Sequence, residues 1–440
     1  MKKKSRGNAD YGGNHDLFQK ILFTLLLLVI YRLGSHIPLP GVNVDALNSI
    51  MKNHTGGILG MFNVLTGGSL GRMSIFTLNI MPYITASIVI QLITSISKEF
   101  SELRKSGEAG RQKINFYSKC LAVMVAIFQG YGIAVGLETF SYQGVELISD
   151  PGYLFRLTAT LCLMSGTVIV IWFADQIALK GIGNGSSVII FAGIVSGFIP
   201  ACGTLLRMGH DGALSIQFIF ICIISVLLLV GFIVFVETSQ KRIKIQYPSR
   251  QVGNKMFAGE SSYLPMKINM AGVIPPIFAS SLLLLPTTVV GFQDASSSSI
   301  LQTTIATYLG QGKPLYISLY VLLIFFFCYF YSSIIFNPEE TADNLRKSGA
   351  YVAATRPGKQ TSQYLKKIIS RLNFVGASYI AFVCAIPELA IAKFSVPFYI
   401  GGTSVLIVIG VVLEISSQIQ SHLFSKRYER FNNKVNIMRA

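Results

Sequence analysis

Eight stretches of at least 18 residues contain no charged side chain, and no other feature of this 440-residue chain limits its fold as severely. They run from Ile75 to Ile96, Cys120 to Leu137, Leu157 to Ala174, Ser186 to Leu206, Leu214 to Val236, Ile268 to Phe292, Leu315 to Phe336 and Val396 to Leu413. A helix rises about 1.5 Å per residue, so each stretch can cross a hydrocarbon core of about 30 Å. Two weaker spans join them. Leu17 to Pro38 carries Lys20 and Arg32, and Leu372 to Ile386 needs Pro387 to Ala392 to complete a crossing. Composition agrees, because 13% of the residues are charged, whereas soluble chains average about 25%. The backbone of a span must satisfy its own hydrogen bonds in lipid, so the expectation is an all-α integral membrane protein of ten transmembrane helices.

The formal charge of +17 could suggest a nucleic-acid binder, but its placement argues otherwise. Of the 37 Lys and Arg, alternate connections leave Arg32, Lys52, Arg72, Arg156, Arg207, Lys313 and Lys393 on one side and the other 30, including both tails, on the opposite side. The positive-inside rule then puts both termini and the long basic loops in the cytoplasm. There the charge can meet anionic lipid, an acidic protein or nucleic acid. The first apolar run continues into Arg32 and Ile37-Pro38-Leu39-Pro40-Gly41 without a small-residue cleavage pattern, so it reads as a retained span. The six cysteines lie singly in or beside spans, which favours packing over disulfide or metal chemistry.

Ten spans divide at the loop after the fifth, around Arg207 to Gly212, into residues 1–206 and 207–440. Five is odd, so a second copy would start from the opposite face and the halves would be related by inverted pseudo-symmetry. Parity alone carries that expectation. Within the first half, Thr55 to Arg72 is apolar and glycine-rich yet too short to cross, leaving a re-entrant segment and a short surface helix as open readings. Lys98 to Lys119 is too polar for the bilayer. Within residues 237–267, Lys241 to Tyr247 alternates polar and apolar side chains, and Pro248-Ser249 and Gly253-Asn254 punctuate the chain before Lys255-Met256-Phe257, the pattern of a projecting basic β-hairpin. Residues 337–371 carry Arg356-Pro357-Gly358, a turn that puts Arg356 near an exposed tip.

Familiar catalytic signatures do not occur in the sequence. There is no HExxH, and neither Gly312-Lys313-Pro314 nor Gly358-Lys359-Gln360 has the hydroxyl residue that a P-loop needs after its lysine. Gly181-Ile182-Gly183-Asn184-Gly185 joins two spans, follows no strand and reads as a tight helix connection. Five scattered histidines make no metal site, and no cofactor or enzymatic activity is expected. Eight spans have no ionisable group of the kind that couples a secondary transporter, and Arg32 and Glu414 lie near span ends, where snorkelling accounts for them. The interiors instead hold Asn79, Thr85, Gln91, Asn269, Ser280 and Ser281 beside Pro82, Pro275, Pro276 and Pro286. Such residues suit helices that separate or line a wet path, or ordinary interhelical hydrogen bonding.

Several motifs in order resemble the SecY family of protein-conducting channels. They are Ile37-Pro38-Leu39-Pro40-Gly41, Ser74-Ile75-Phe76 with Ile80-Met81-Pro82-Tyr83-Ile84, Gly181-Ile182-Gly183-Asn184-Gly185, and Asn269-Met270-Ala271-Gly272-Val273-Ile274-Pro275. Phe336-Asn337-Pro338 with Thr341-Ala342-Asp343-Asn344-Leu345, and Pro397-Phe398-Tyr399 with Gly401-Gly402-Thr403-Ser404, continue the likeness. The resemblance implies two five-helix halves around a central pore, opening laterally between spans two and three on one side and seven and eight on the other.

The same resemblance implies site residues. The pore ring falls on Ile80, Ile84, Ser186, Ile190, Ile277 and Ile407, with Ser186 in place of the usual aliphatic residue. A plug over about 56–72 includes Gly57, Ile58, Met61, Phe62, Val64, Leu65 and Leu70. At the lateral gate so implied, the polar Thr85 and Gln91 of span two and Asn269 and Ser280 of span seven are expected, from their chemistry, to offer hydrogen bonds that hold the closed state. Arg356, Arg250 and Lys255 would dock a motor or ribosome, although Asn254-Lys255 stands where the family often has two basic residues. Implied partners are SecE and SecG subunits, the SecA ATPase, the ribosome, secretory and membrane-protein substrates with signal sequences, and lipids of a bacterial inner membrane. A small-solute transporter with inverted repeats is the alternative, and a membrane scaffold without transport a third reading.

Overall fold

A computed structural model describes residues 12–44, 66–139, 141–142, 145–146, 148, 150–212, 215–247, 250–252, 255–257, 261–291, 313–352, 355–394 and 401–439. Among these, eight helices are long and apolar enough to cross a membrane, and the shorter apolar helices Met81–Ile96 and Ile274–Leu283 fall within the expected second and seventh spans. The chain is thus a multi-pass membrane protein.

In chain order the first elements are α1 (Gly12–Gly34), α2 (Met81–Ile96), α3 (Lys98–Lys105), α4 (Glu108–Thr139), α5 (Tyr153–Lys180) and α6 (Gly185–His210), with β1 (Ser141–Tyr142) and β2 (Val145–Glu146) as a small hairpin between α4 and α5. They are followed by α7 (Ile216–Thr238), then β3 (Gln240–Gln246), β4 (Arg250–Val252), β5 (Lys255–Phe257) and β6 (Ser261–Lys267). The chain continues with α8 (Ile274–Gly291), α9 (Pro314–Ile335), α10 (Pro338–Lys347), β7 (Tyr351–Val352), α11 (Lys359–Phe394) and α12 (Gly402–Arg439).

Several boundaries depart from the charge-free runs, each for a local reason. The run from Ile75 is helical only from Met81, because Met73 and Asn79 take positive φ and Pro82 occupies the first turn. Its 16 residues reach about 24 Å. The run from Ile268 becomes helical only at Ile274, after side-chain bonds from Asn269 have closed a turn around Gly272. Polar flanks elsewhere lengthen the helices: the connection from Lys98 to Lys119 is mostly helix, and the ninth span is part of a 36-residue helix with Pro387 inside it. The expected tight connection holds, as α5 ends at Lys180 and α6 begins at Gly185. A Cβ at Gly185 would collide with the Ala174 carbonyl, so only glycine lets the two helices meet there.

One apolar cluster draws on both sides of the expected division at 206 and 207. It draws Tyr31 from α1, Ile84 and Ile88 from α2, Ile190 from α6, Phe278 and Leu283 from α8, Phe327 from α9, Ile380 from α11 and Ile407 from α12. A second cluster packs Leu39, Leu70, Met73 and Leu78 against Ala126 and Ile133 of α4 and Phe155 and Leu163 of α5. Ile37-Pro38-Leu39 is held there as a short antiparallel partner of Met73 to Ile75, with Leu39 N donating to Met73 O (2.8 Å) and Ile75 N to Ile37 O (3.0 Å).

The expected hairpin is present. β3 pairs with β6 from Gln240↔Lys267 to Gln246↔Ser261, and β4 with β5 nearer the tip. β7 adds to the free edge of β3 through Ile245↔Val352 and Gln246↔Tyr351, so strands from both basic loops form one sheet of order β6-β3-β7. Ile243, Met266 and Val352 cover its inner face together with Leu365 and Ile369 of α11. Lys241, Arg242 and Lys244 remain exposed.

Candidate functional site

Where α2, α6, α8 and α12 converge, the described residues enclose a cavity lined by Asn79, Met81, Ile190, Ile277, Ser280, Thr403 and Ile407. Residues from both sides of the expected division at 206 and 207 build it, so the site lies at their junction. Ile190, Ile277 and Ile407 of the expected ring meet here. Ile80 and Ile84 belong to the same apolar cluster, at 0% and 7% exposure, but are not among the residues that line the cavity. Ser186 lies one helical turn before Ile190, and its hydroxyl donates to Asn184 Oδ1 (2.8 Å) in the first turn of α6. The collar is thus aliphatic on three walls, with Asn79, Ser280 and Thr403 as its uncharged polar groups.

Of the expected plug residues, Gly57, Ile58, Met61, Phe62, Val64 and Leu65 lie outside the described residues. Leu70 is 2% exposed and packs on α4 and α5, away from the cavity. Thr66 to Arg72 forms largely buried turns, so this portion is not the surface helix that composition allowed.

Its hub is Gly67. Arg32 Nη1 donates to Gly67 O at 2.7 Å and Arg72 Nη2 to the same oxygen at 3.3 Å, so two guanidinium groups share one carbonyl. Gly67 has φ +65°, and a Cβ there would stand 2.6 Å from Ser196 Oγ and 2.8 Å from Gly193 O of α6. A side chain would therefore be both strained and obstructed. Arg32 does not snorkel as expected; it ties Gly67 down between α1 and α6. Sequence inspection missed this because the partners are 35 residues apart and follow no local pattern.

The expected gate hydrogen bonds do not form across the α2–α8 contact. Thr85 Oγ1 donates to Met81 O (3.1 Å), Gln91 Nε2 to Ser87 Oγ (3.2 Å) and Ser280 Oγ to Ile277 O (3.0 Å), each within its own helix. Asn269 lies ahead of α8 and donates to Glu237 Oε1 (2.7 Å) at the end of α7. α2 and α8 meet beside an apolar cluster that includes Ile84, Ile88, Phe278 and Leu283.

On the basic face, Arg356 is exposed beside the sheet. Thr361 Oγ1 donates to Arg356 O (2.8 Å) and so ties its turn to the start of α11. Preceding it, α10 is capped by Asn337, whose Oδ1 accepts from Glu339 N (3.1 Å). Arg250 and Lys255 are on β4 and β5, at the far end of the hairpin. No group of three potential metal ligands occurs among the described residues.

The SecY family model matches residues 74–416. The chain is 48% identical over 430 residues to protein translocase subunit SecY of Rickettsia typhi, covering 98% of this chain and 99% of that relative. Against protein translocase subunit SecY of Escherichia coli K12 it is 45% identical over 427 residues, 97% and 96% of the two chains. Among solved structures, one described as the structure of a protein conducting channel aligns with a TM-score of 0.66 at 18% identity, covering 93% of each chain. Sec61 in the canine ribosome-channel complex aligns with 0.64 at 17% identity, again covering 93% of each.

Proposed function

The chain belongs to the SecY family, and from that membership we propose how its geometry serves a protein-conducting channel. The carrying observation is the aliphatic collar at the junction of the halves. A narrow apolar constriction excludes water and ions yet offers a sliding polypeptide no fixed polar partner, so it can seal and still release. Ile80, Ile84, Ile190, Ile277 and Ile407 make the seal, with Ser186 as its hydroxyl-bearing margin one turn away.

Separation of α2 from α8 would open the collar towards lipid. A segment rich in Leu, Ile, Phe and Val then leaves sideways, because Asp, Lys and Arg cost about 2.5 to 3.5 kcal/mol each at the centre of a helix in the membrane. Apolar packing across that seam, with little hydrogen bonding to break, is compatible with reversible opening. The plug closes the outer side, and the Arg32–Gly67–Arg72 hub holds its end. We assign residues 1–206 and 207–440 to the two halves, with both termini in the cytoplasm of a bacterium.

No nucleotide-binding motif is present in the sequence, so energy is assigned to a docked partner: the SecA ATPase or a translating ribosome on the sheet and Arg356. Ribosome-bound Sec61 and Ssh1 complexes among the structural relatives support the second. SecE and SecG subunits and lipid are assigned to the outer faces. α7, which among the described residues buries only Ile219 and Ile233, supplies such a surface. A small-solute transporter is not favoured, because the cavity holds no ionisable group.

Reconstitution with these partners in sealed vesicles tests the reading. A secretory precursor should become protease-protected when its driving partner is present, with no accumulation of small solutes against a gradient. Solute accumulation with no protected precursor would reject it.

A further inference from the structure

The legs of the basic hairpin enter the membrane domain side by side, and the side chains at their bases are bonded. Glu237 stands at the end of α7, just before β3, and Asn269 just after β6. Asn269 Nδ2 donates to Glu237 Oε1 (2.7 Å) and to Gly272 O (3.0 Å), while its Oδ1 accepts from Gly272 N (3.0 Å). Asn269 is 4% exposed, and Ile268 N donates to Ser239 O (3.3 Å), which extends the hairpin ladder to the same point.

Two consecutive residues here belong to two different cores. Met270 packs with the sheet core of Ile243, Met266 and Val352, whereas Ala271 is buried in the cluster that contains Ile84, Phe278 and Ile407. Three residues later α8 begins. Residues 268–273 are thus the direct chain connection from the sheet to the first turn of α8, and the Glu237–Asn269 bond bears on whether this connection moves as one piece or bends.

We propose that Glu237 is a positioning residue that couples docking on the β6-β3-β7 sheet to separation of α8 from α2. The inference rests on the docking and gating reading above. Glu237 touches neither a docked partner nor a passing chain; it acts through Asn269. With the carboxylate removed, the amide loses its anchor on α7, and a push on the sheet is absorbed in the connection instead of turning α8.

Crosslinking across the seam tests this. Met81 and Ser280 line one cavity from opposite helices, so Met81→Cys with Ser280→Cys can be joined by a short bifunctional maleimide in a chain whose native cysteines are alanine. Purified ribosomes should lower the crosslink yield in this parent and in Glu237→Gln, whose amide oxygen can still accept from Asn269. Glu237→Ala should bind ribosomes as tightly as the parent yet show a fall in yield smaller by roughly threefold, the equilibrium shift that one interhelical hydrogen bond in a membrane is worth. A fall in Glu237→Ala equal to the parent's overturns the proposal, as does equal failure of Glu237→Gln and Glu237→Ala. No fall in the parent itself would reject the docking and gating reading on which the proposal rests. Should Glu237→Ala not accumulate, Asn269→Asp sets two carboxylates against each other and should uncouple in the same way; an unimpaired fall there overturns the proposal.

Discussion

Deleting residues 57–65 should leave the protein folded and inserted but make the resting channel conduct ions. The deletion removes the apolar run Ile58 to Leu65 while sparing Gly67 and Leu70, which the structure places in its interior. Without a plug, the proposed seal of Ile80, Ile84, Ile190, Ile277 and Ile407 would have to separate the two sides alone, and its cavity also carries Asn79, Ser280 and Thr403, which can hold water. Single-channel events in planar bilayers should therefore appear where the parent is silent. A longer deletion through Leu70 should leak equally but be less stable. Leu70 is 2% exposed against α4 and α5, and loss of such a side chain costs about 2 to 5 kcal/mol. Thermal unfolding in detergent separates the two effects. A silent 57–65 deletion would remove the plug assignment, and equal stability of the two deletions would remove the role given to Leu70.

Arg356→Lys should reduce docking-driven translocation at least about tenfold, the equivalent of about 1.4 kcal/mol, while topology and abundance stay unchanged. Arg356 is exposed on a turn tied down through Thr361 Oγ1, so its guanidinium is presented from a fixed base. A planar fork with five donors can engage a carboxylate, a phosphate or a row of carbonyls in two places at once, and lysine keeps the charge but loses the fork. The neighbouring Lys359 is also exposed but starts α11, away from the turn apex. Lys359→Ala should therefore translocate at close to the parental rate. Equal failure of the two variants, or normal transport by Arg356→Lys, would mean that the face acts through bulk charge alone.

The positions of the membrane spans were legible because a long run without charge has few alternatives in lipid. Their starts were less so. Nothing in hydropathy separates Ile75 from Met81, and what separates them is the positive φ at Met73 and Asn79. The basic hairpin was readable from the alternation in Lys241 to Gln246, but its third strand was not, since Ile245 meets Val352 across three intervening helices, α8, α9 and α10. Ring positions came from likeness to a family and not from periodicity. The polar gate residues were sound as choices of chemistry and wrong as a bonded set, because hydroxyls on α2 and α8 find carbonyls of their own helices. The Arg32–Gly67 and Glu237–Asn269 contacts were invisible for one reason: each joins residues more than 30 positions apart through a single side chain.

The central claim is that a secretory polypeptide passes through the collar where α2, α6, α8 and α12 meet. Ile80→Cys, Ile190→Cys, Ile277→Cys and Ile407→Cys, made one at a time, can be challenged with a stalled, signal-bearing chain carrying a single crosslinkable residue. Leu228→Cys, at a position 70% exposed on the outer face of α7, is the control. The account predicts crosslinks from the collar positions to the same short stretch of the stalled chain and none from Leu228→Cys. Crosslinking at Leu228→Cys with silence at the collar would contradict it.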